Sequence, residues 1–427
     1  MNIMKQSIDL LIINASELIT LRGFSNRPAT KDDMKKLQII KDGAVAIENG
    51  KIIDVGESEE LKAKYTAENE ISAHDKIVLP GFIDAHTHLI FSGSREEELT
   101  LKLEGISYLE ILKRGGGILK TVRETRKATL EQLVREGEQR LSNMLIHGVT
   151  TVEAKSGYGL NVEDELKMLE ACRILNEKHV VDVIPTLLAA HAIPQEFKRN
   201  PDDYVEFIIN EIIPKVAERK LAKFNDVFVE KNVFTIEQGR KILLAGKEYG
   251  LIPKIHADEI NYLGGAELAG EVGAISADHL ARASDTGLKT LAEKGIVGVL
   301  LPAAPMVLMD YVFPNARRMI RMGVPVAVAT DFNPNCWVEN IQVAMFMATY
   351  FLKMTPAEVI TSVTINAAHA IGLSHEIGSI EKGKKADLVI LNVPSHYWIN
   401  YRFGVNLVDT VIKSGQIVVE NGKITKK

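Results

Sequence analysis

His86 and His88 stand two residues apart at the end of an apolar run, and on an extended strand alternate residues share a face. Both imidazoles then point the same way. That geometry chelates a metal, although two packed or exposed histidines would show the same spacing. The preceding Pro80-Gly81-Phe82-Ile83-Asp84 favours chelation, because an apolar strand ending in Asp-x-His-x-His has no packing reason to bury so much polarity. His256-Ala257-Asp258-Glu259 supplies a third neutral imidazole and, three residues later, a carboxylate able to move a proton; capping or solvating a loop is the other use for Glu259. Asp331 follows the apolar Val324–Thr330 and offers a carboxylate ligand, while Asn333 and Pro334 can serve the local turn or cap in its place. Three imidazoles and one carboxylate suit zinc or iron(II), and spacing does not separate the two. Such an ion makes hydroxide at neutral pH and polarises a carbonyl.

His279, in Ala277-Asp278-His279-Leu280, is placed to donate a hydrogen bond to an oxygen that becomes negative during attack. His191 can do likewise for a substrate, or be a satisfied core histidine. Lys155 raises the question of a carbamylated lysine bridging two metals, but in strand order it is distant from His256, which favours a single metal. Arg95, Tyr108 and Tyr158 fall on loops after strands and can bind a carboxylate-bearing substrate, the arginine as a bidentate clamp.

These residues need a scaffold that brings distant segments to one place. Short apolar runs at Val78–Ala85, Val149–Ala154, Val181–Ala190, Asp226–Val229, Ile252–Ile255, Ala274–Ala277, Ile296–Leu301 and Pro325–Ala329 alternate with stretches of helical period such as Leu130–Ile146 and Glu163–Glu177. Eight such runs within about 250 residues predict a closed (β/α)8 TIM barrel of the α/β class, in which functional side chains stand at the C-terminal strand ends. Five of the 11 histidines occupy such ends. Both chain termini are β-rich, with Glu48-Asn49-Gly50-Lys51-Ile52 echoed by Glu420-Asn421-Gly422-Lys423-Ile424, and these turns predict hairpins. The expected organisation is a barrel over 79–375 and a small β-sandwich assembled from 1–78 and 376–427. Gly115-Gly116-Gly117 lacks the Lys and Ser/Thr that a phosphate loop requires.

Composition narrows the function classes. The chain has 427 residues, 46% hydrophobic and 25% charged, as globular proteins do. With 51 Lys+Arg against 56 Asp+Glu the formal charge is -5, which disfavours nucleic acid and anionic membranes as partners. The longest apolar run, Ile296 to Met309, is broken by Gly298, Pro302 and Pro305, and falls short of the ~18 residues of a membrane span. Two cysteines, Cys172 and Cys336, build neither a disulfide framework nor a thiolate metal site, which suits a reducing, cytoplasmic location.

Taken together, these segments resemble the amidohydrolase superfamily and, within it, the imidazolonepropionase family. The resemblance runs along essentially the whole chain. The superfamily is marked by Pro80 to His88 and by Ala329-Thr330-Asp331, the family by Gly115-Gly116-Gly117-Ile118 and Ser156-Gly157-Tyr158-Gly159. It implies one Zn2+ or Fe2+/Fe3+ per chain on His86, His88, His256 and Asp331, with Arg95, Tyr158, His191, Glu259 and Asn333 touching substrate or product. It implies that metal-bound hydroxide attacks the ring carbonyl of 4-imidazolone-5-propanoate in histidine degradation, giving N-formimidoyl-L-glutamate. Glu259 would relay the proton to the leaving nitrogen, His279 steady the oxyanion and Arg95 hold the propionate; a homodimer is also implied. After Asn333-Pro334 the family carries Gly and then Thr or Ser at substrate-holding positions, where this chain has Asn335 and Cys336. A deaminase of a purine or triazine is the competing expectation, since the same metal set can expel ammonia from a ring carbon.

Overall fold

The computed structural model describes residues 5–106, 110–111 and 115–425. Its central sheet has eight strands, and every neighbouring pair is parallel. In chain order they are Phe82–Thr87, Val149–Lys155, Asp182–Ala190, Phe224–Val229, Ile252–Ala257, Ser276–His279, Val297–Leu300 and Val326–Val328, numbered here as barrel strands 1 to 8. Every residue of strands 1, 2, 6, 7 and 8 is buried, as expected of strands covered on both faces. The seam between strands 1 and 8 closes just past strand 8. There Asp331 N donates to His86 O at 3.2 Å, and His88 N donates to Phe332 O at 2.8 Å. The expected barrel is therefore the observed one.

The covering helices start where local chemistry tells them to. Thr129 accepts from Gln132 N to cap Leu130–Ile146, and Asn161 accepts from Asp164 N to cap Val162–Lys178. Thr235 and Gln238 form a reciprocal capping box at the head of Ile236–Glu248. Among the described residues no helix is long and apolar enough to cross a membrane.

Both chain ends build two smaller sheets. One holds Gln6–Ala15, Gly43–Glu48, Lys51–Glu57 and Tyr65–Ser72; the other joins Glu17–Ile19, Ile39–Ile40 and Ile77–Pro80 to the C-terminal strands Leu388–Leu391, Val408–Lys413, Gln416–Glu420 and Lys423–Ile424. Ile12, Val45 and Ile47 of the first sheet share a core with Leu388, Ile390 and Ile412 of the second, which makes the pair a sandwich. The two Asn-Gly turns are hairpins, with φ of 51° and 74° at Asn49 and Gly50 and 52° and 70° at Asn421 and Gly422.

One expected strand is corrected. Val78–Ala85 reads as a single run but divides at Gly81: Ile77–Pro80 pairs antiparallel with Leu388–Leu391, whereas Phe82–Thr87 pairs parallel with Val149–Lys155. Gly81 passes so close to strand 2 that a Cβ there would collide with the Thr150 side chain. Hydrophobicity reports burial in a sheet without saying which sheet, so a continuous apolar run conceals the crossing.

Candidate active site

Strand ends at the barrel mouth bring the predicted residues together. His86 lies on strand 1 with Nε2 3.6 Å from Asp331 Oδ1, and His88 Nε2 lies 3.8 Å from the same oxygen. The His256 ring, from strand 5, is 4.6 Å from that of His86. The His279 ring, at the end of strand 6, is 5.2 Å from His256 and 5.4 Å from His86. Two overlapping triads, His86/His256/His279 and His86/His88/Asp331, each bring their ligand atoms within 4.8 Å of one another. His279, expected only as a hydrogen-bond donor, thus stands within ligating reach.

The donor set fits a metal. Among the described residues, Nε2 of His86, His256 and His279 and Nδ1 of His88 are buried with no hydrogen-bond partner. Buried polar groups are ordinarily paired, so a concentration of bare imidazole nitrogens around one carboxylate calls for a cation. Burial holds His86, His88 and His279 well below their ordinary values, which keeps the rings neutral and their lone pairs available. Burial also lifts Asp331 to about 7, outweighing the lowering influence of nearby His256 and of a hydrogen bond from Asn333. His279 and Asp331 have φ of 75° and 55°, so both side chains are presented from left-handed backbone.

Behind the imidazoles stands a layer of charge. His86 Nδ1 is 2.7 Å from Asp278 Oδ2, and His256 Nδ1 is 3.0 Å from Asp226 Oδ2. Lys155, at the end of strand 2, reaches Glu153 and Asp226 at 2.8 Å and Asp278 at 3.4 Å. Asp226 and Asp278 were not singled out from sequence. The signal was their place on strands, four residues before Glu230 and one residue before His279 respectively, in otherwise apolar surroundings.

Above the imidazoles opens a cavity of roughly 650 Å³, counting its mouth to solvent, and Arg95, Tyr158, His191, Glu259, Asn333 and Asn335 face it. Glu259 is set by its neighbour: Asp258 accepts the N–H groups of Leu263, Gly264, Gly265 and Ala266 and pins the head of helix Gly265–Val272. Burial, with Asp331 and Glu230 nearby, pushes the Glu259 carboxyl well above its ordinary value, and its Oε1 lies 3.5 Å from His279 Nδ1. A carboxyl raised in this way is suited to carrying a proton to a leaving group.

Arg95 is nearly buried, with Nε and Nη2 donating to Glu98 at 3.0 and 2.7 Å, and Glu98 Oε1 accepts from Gly117 N at 2.7 Å. The triple glycine therefore serves to hold the carboxylate that aims the arginine. Glu165, also overlooked in the sequence, accepts from Gly157, Gly159 and Leu160 N–H groups and shapes the turn carrying Tyr158. His191 Nδ1 contacts Gly157 O at 3.1 Å, and its ring stacks on His88 at 4.8 Å. It is both a satisfied histidine and a cavity wall.

Comparison with known proteins agrees with this arrangement. Residues 77–418 match the model of the Amidohydrolase family, and residues 43–67 match the Imidazolonepropionase-like composite domain, bacteria. The chain is 53% identical over 420 residues to an imidazolonepropionase of Geobacillus kaustophilus (strain HTA426), covering 97% of this chain and 99% of that one. The chain belongs to the imidazolonepropionase family. It is 51% identical to the imidazolonepropionase of Alkaliphilus oremlandii (strain OhILAs), covering 98% of this chain and 100% of the relative. Among solved structures it resembles a zinc-bound adenosine deaminase from Xanthomonas campestris, with a TM-score of 0.74, 18% identity and coverage of 99% and 96%. A triazine hydrolase variant gives 0.75 at 14% identity, covering 98% and 96%. Those two likenesses speak for the shared amidohydrolase fold.

As a member of the imidazolonepropionase family the chain departs from expectation at the loop after strand 8. Asn333 builds that loop, donating to Asp331 O at 2.8 Å and accepting from Asn335 N at 2.8 Å and Cys336 N at 3.0 Å. Asn335 faces the cavity and accepts from Lys102 Nζ at 2.5 Å. Cys336, expected to touch substrate, is not among the residues lining this cavity: its fully buried thiol packs with Ala303 and Met347, 3.7 Å from Thr330 O. The turn that Asn333 closes points residue 336 inward, away from the cavity. Tyr108 lies outside the described residues. Trp337 packs edge-on against Phe91 and Phe332, and the Arg140 guanidinium sits 3.7 Å over the Phe91 ring.

Proposed function

We propose that the chain hydrolyses the cyclic C–N amide bond of 4-imidazolone-5-propanoate to N-formimidoyl-L-glutamate in histidine degradation. The observation that carries this reading is the cluster of unpartnered imidazole nitrogens around Asp331, roofed by a cavity that Arg95 faces. Near-full-length relatives named imidazolonepropionase support the substrate.

One zinc or iron ion per chain would be held by His86, His88, His256 and Asp331. When bound, it supplies water ionised near neutral pH and polarises a carbonyl oxygen. The chain's own groups do the remainder. Arg95, aimed by Glu98, takes the propionate carboxylate, while Tyr158, His191, Asn333 and Asn335 bound the ring. His279 steadies the oxygen that gains charge as the ring carbonyl is attacked. Glu259 carries one proton of the attacking water to the ring nitrogen as the C–N bond breaks, so the nitrogen gains that hydrogen, the carbonyl carbon leaves as a carboxylate and the water's second proton passes to solvent. The homodimer and the cytoplasmic location belong to the same proposal.

Loss of imidazolone propionate ultraviolet absorbance on adding metal-replete enzyme is the direct test. Absence of turnover there, with ammonia released from a purine or triazine instead, would overturn the assignment in favour of a deaminase.

A further inference from the structure

We propose that Lys155 is a positioning residue for the metal centre: its ammonium fixes the two carboxylates that back His86 and His256, so that both rings turn a bare Nε2 to the ion. This rests on the metal-dependent reading above. In sequence order Lys155 is remote from both histidines. In the barrel its side chain runs inward from strand 2, where it meets Asp226 of strand 4 and Asp278 of strand 6.

The geometry is alike twice over, a hydrogen bond at His86 and a close ion-pair contact at His256. Asp278 gives Oδ2 both to His86 Nδ1, at 2.7 Å, and to Lys155 Nζ, at 3.4 Å, while its Oδ1 accepts from Ser276 Oγ at 2.7 Å. Asp226 gives Oδ2 both to Lys155 Nζ, at 2.8 Å, and to His256 Nδ1, at 3.0 Å, while its Oδ1 accepts from Val227 N at 2.7 Å. In each carboxylate one oxygen is tied to its own strand and the other is shared between one imidazole and the same ammonium. A ring whose Nδ1 is committed to a carboxylate has one tautomer left for ligation, with the lone pair on Nε2. The Nε2 atoms of His86 and His256 are indeed buried and unpartnered. Removing the ammonium would leave the two carboxylates without the cation they share, Lys254 being the buried ammonium that remains nearby, 3.8 Å from Glu153, and the rings they orient would lose their setting.

The same contacts argue against a carbamylated lysine. Nζ is already engaged by Asp226, Asp278 and Glu153, the last at 2.8 Å, and Lys155 is fully buried. An N-carboxylate there would bring a fourth negative charge among three.

Zinc affinity decides the matter, read by competition with a chromophoric chelator on chelator-stripped, full-length protein. No substrate is present, so failure here is distinct from failure of the substrate assignment. Lys155→Met, and Lys155→Met combined with Glu153→Gln to remove one buried carboxylate with the ammonium, are expected to weaken zinc binding roughly 10- to 100-fold, while Glu153→Gln alone stays within about threefold. A Lys155 variant that folds, by circular dichroism, and binds zinc as tightly as wild type overturns the proposal. If neither folds, Asp226→Asn answers in the same titration: unchanged affinity refutes, and a loss of about tenfold or more upholds. Added bicarbonate is expected to leave zinc affinity unchanged, and an increase would favour the carbamate and refute the ammonium.

Discussion

The Glu259 carboxyl faces Nδ1 of His279 across 3.5 Å, and both side chains line the same cavity. The proposed proton carrier thus stands against an imidazole whose other nitrogen turns to the cluster. Glu259→Gln preserves shape and removes the carried proton, so kcat is expected to fall roughly 10²- to 10⁴-fold with metal content unchanged by elemental analysis. Near-wild-type turnover in that variant would remove Glu259 from the proton path.

Arg95→Ala should act on substrate capture. Losing a charge-assisted hydrogen bond of about 1.5–3 kcal/mol corresponds to roughly a 10- to 150-fold decrease in kcat/KM, with metal content intact. Parallel loss of metal and of kcat/KM would contradict the clamp.

Glu98 links stability to this clamp. Burial pushes its carboxyl up, but the hydrogen bonds and charge of Arg95 and the Gly117 N–H outweigh burial and hold it below the ordinary 4.5. A depressed folded-state value means that the stabilisation is complete above pH 4.5 and is lost as pH falls through the lower, folded value. Glu98→Gln is therefore expected to flatten the acid limb of the stability curve below that point and, by loosening Arg95, to raise KM at neutral pH. Denaturant melts between pH 3 and 6, beside neutral-pH kinetics, would show an unchanged acid limb if Glu98 were unimportant.

The two departures after strand 8 should separate cleanly. Cys336→Ala is expected to leave KM alone and to lower stability by about 1 kcal/mol, because the thiol packs in the interior. Asn335→Ala frees Lys102 and opens the cavity wall, raising KM by about 3- to 10-fold, the worth of one hydrogen bond. Steady-state kinetics on the pair would expose a reversed assignment directly.

Chelation should abolish turnover and lower Tm, with zinc or iron(II) restoring both; an ion at 100 times its Kd stabilises by about 2.7 kcal/mol. Indifference of activity to exhaustive chelation would defeat the metal reading.

Much of the site was legible because its signals are local. His86, His88, His256 and Asp331 each follow an apolar run, and a barrel places such positions at one rim. What escaped is what depends on crossing the interior. Lys155 looked remote from His256 along the strand order, yet inward side chains from alternate strands meet near the axis, where it shares Asp226 with that histidine. The inward packing of Cys336 was not legible, because family position does not reveal which way a turn built by Asn333 sends the next side chain. The break at Gly81 was hidden since both of its flanks are equally apolar.

The backbone bonds from Asp331 to His86 and from His88 to Phe332 join the first barrel strand to the chain just after the last. A nascent polypeptide that has made His86 and His88 still has no place for an ion, because the aspartate and the final staves arrive some 240 residues later. Completion of the cylinder and creation of the reactive centre are one event, so any lesion that unfastens this junction removes shape and chemistry together.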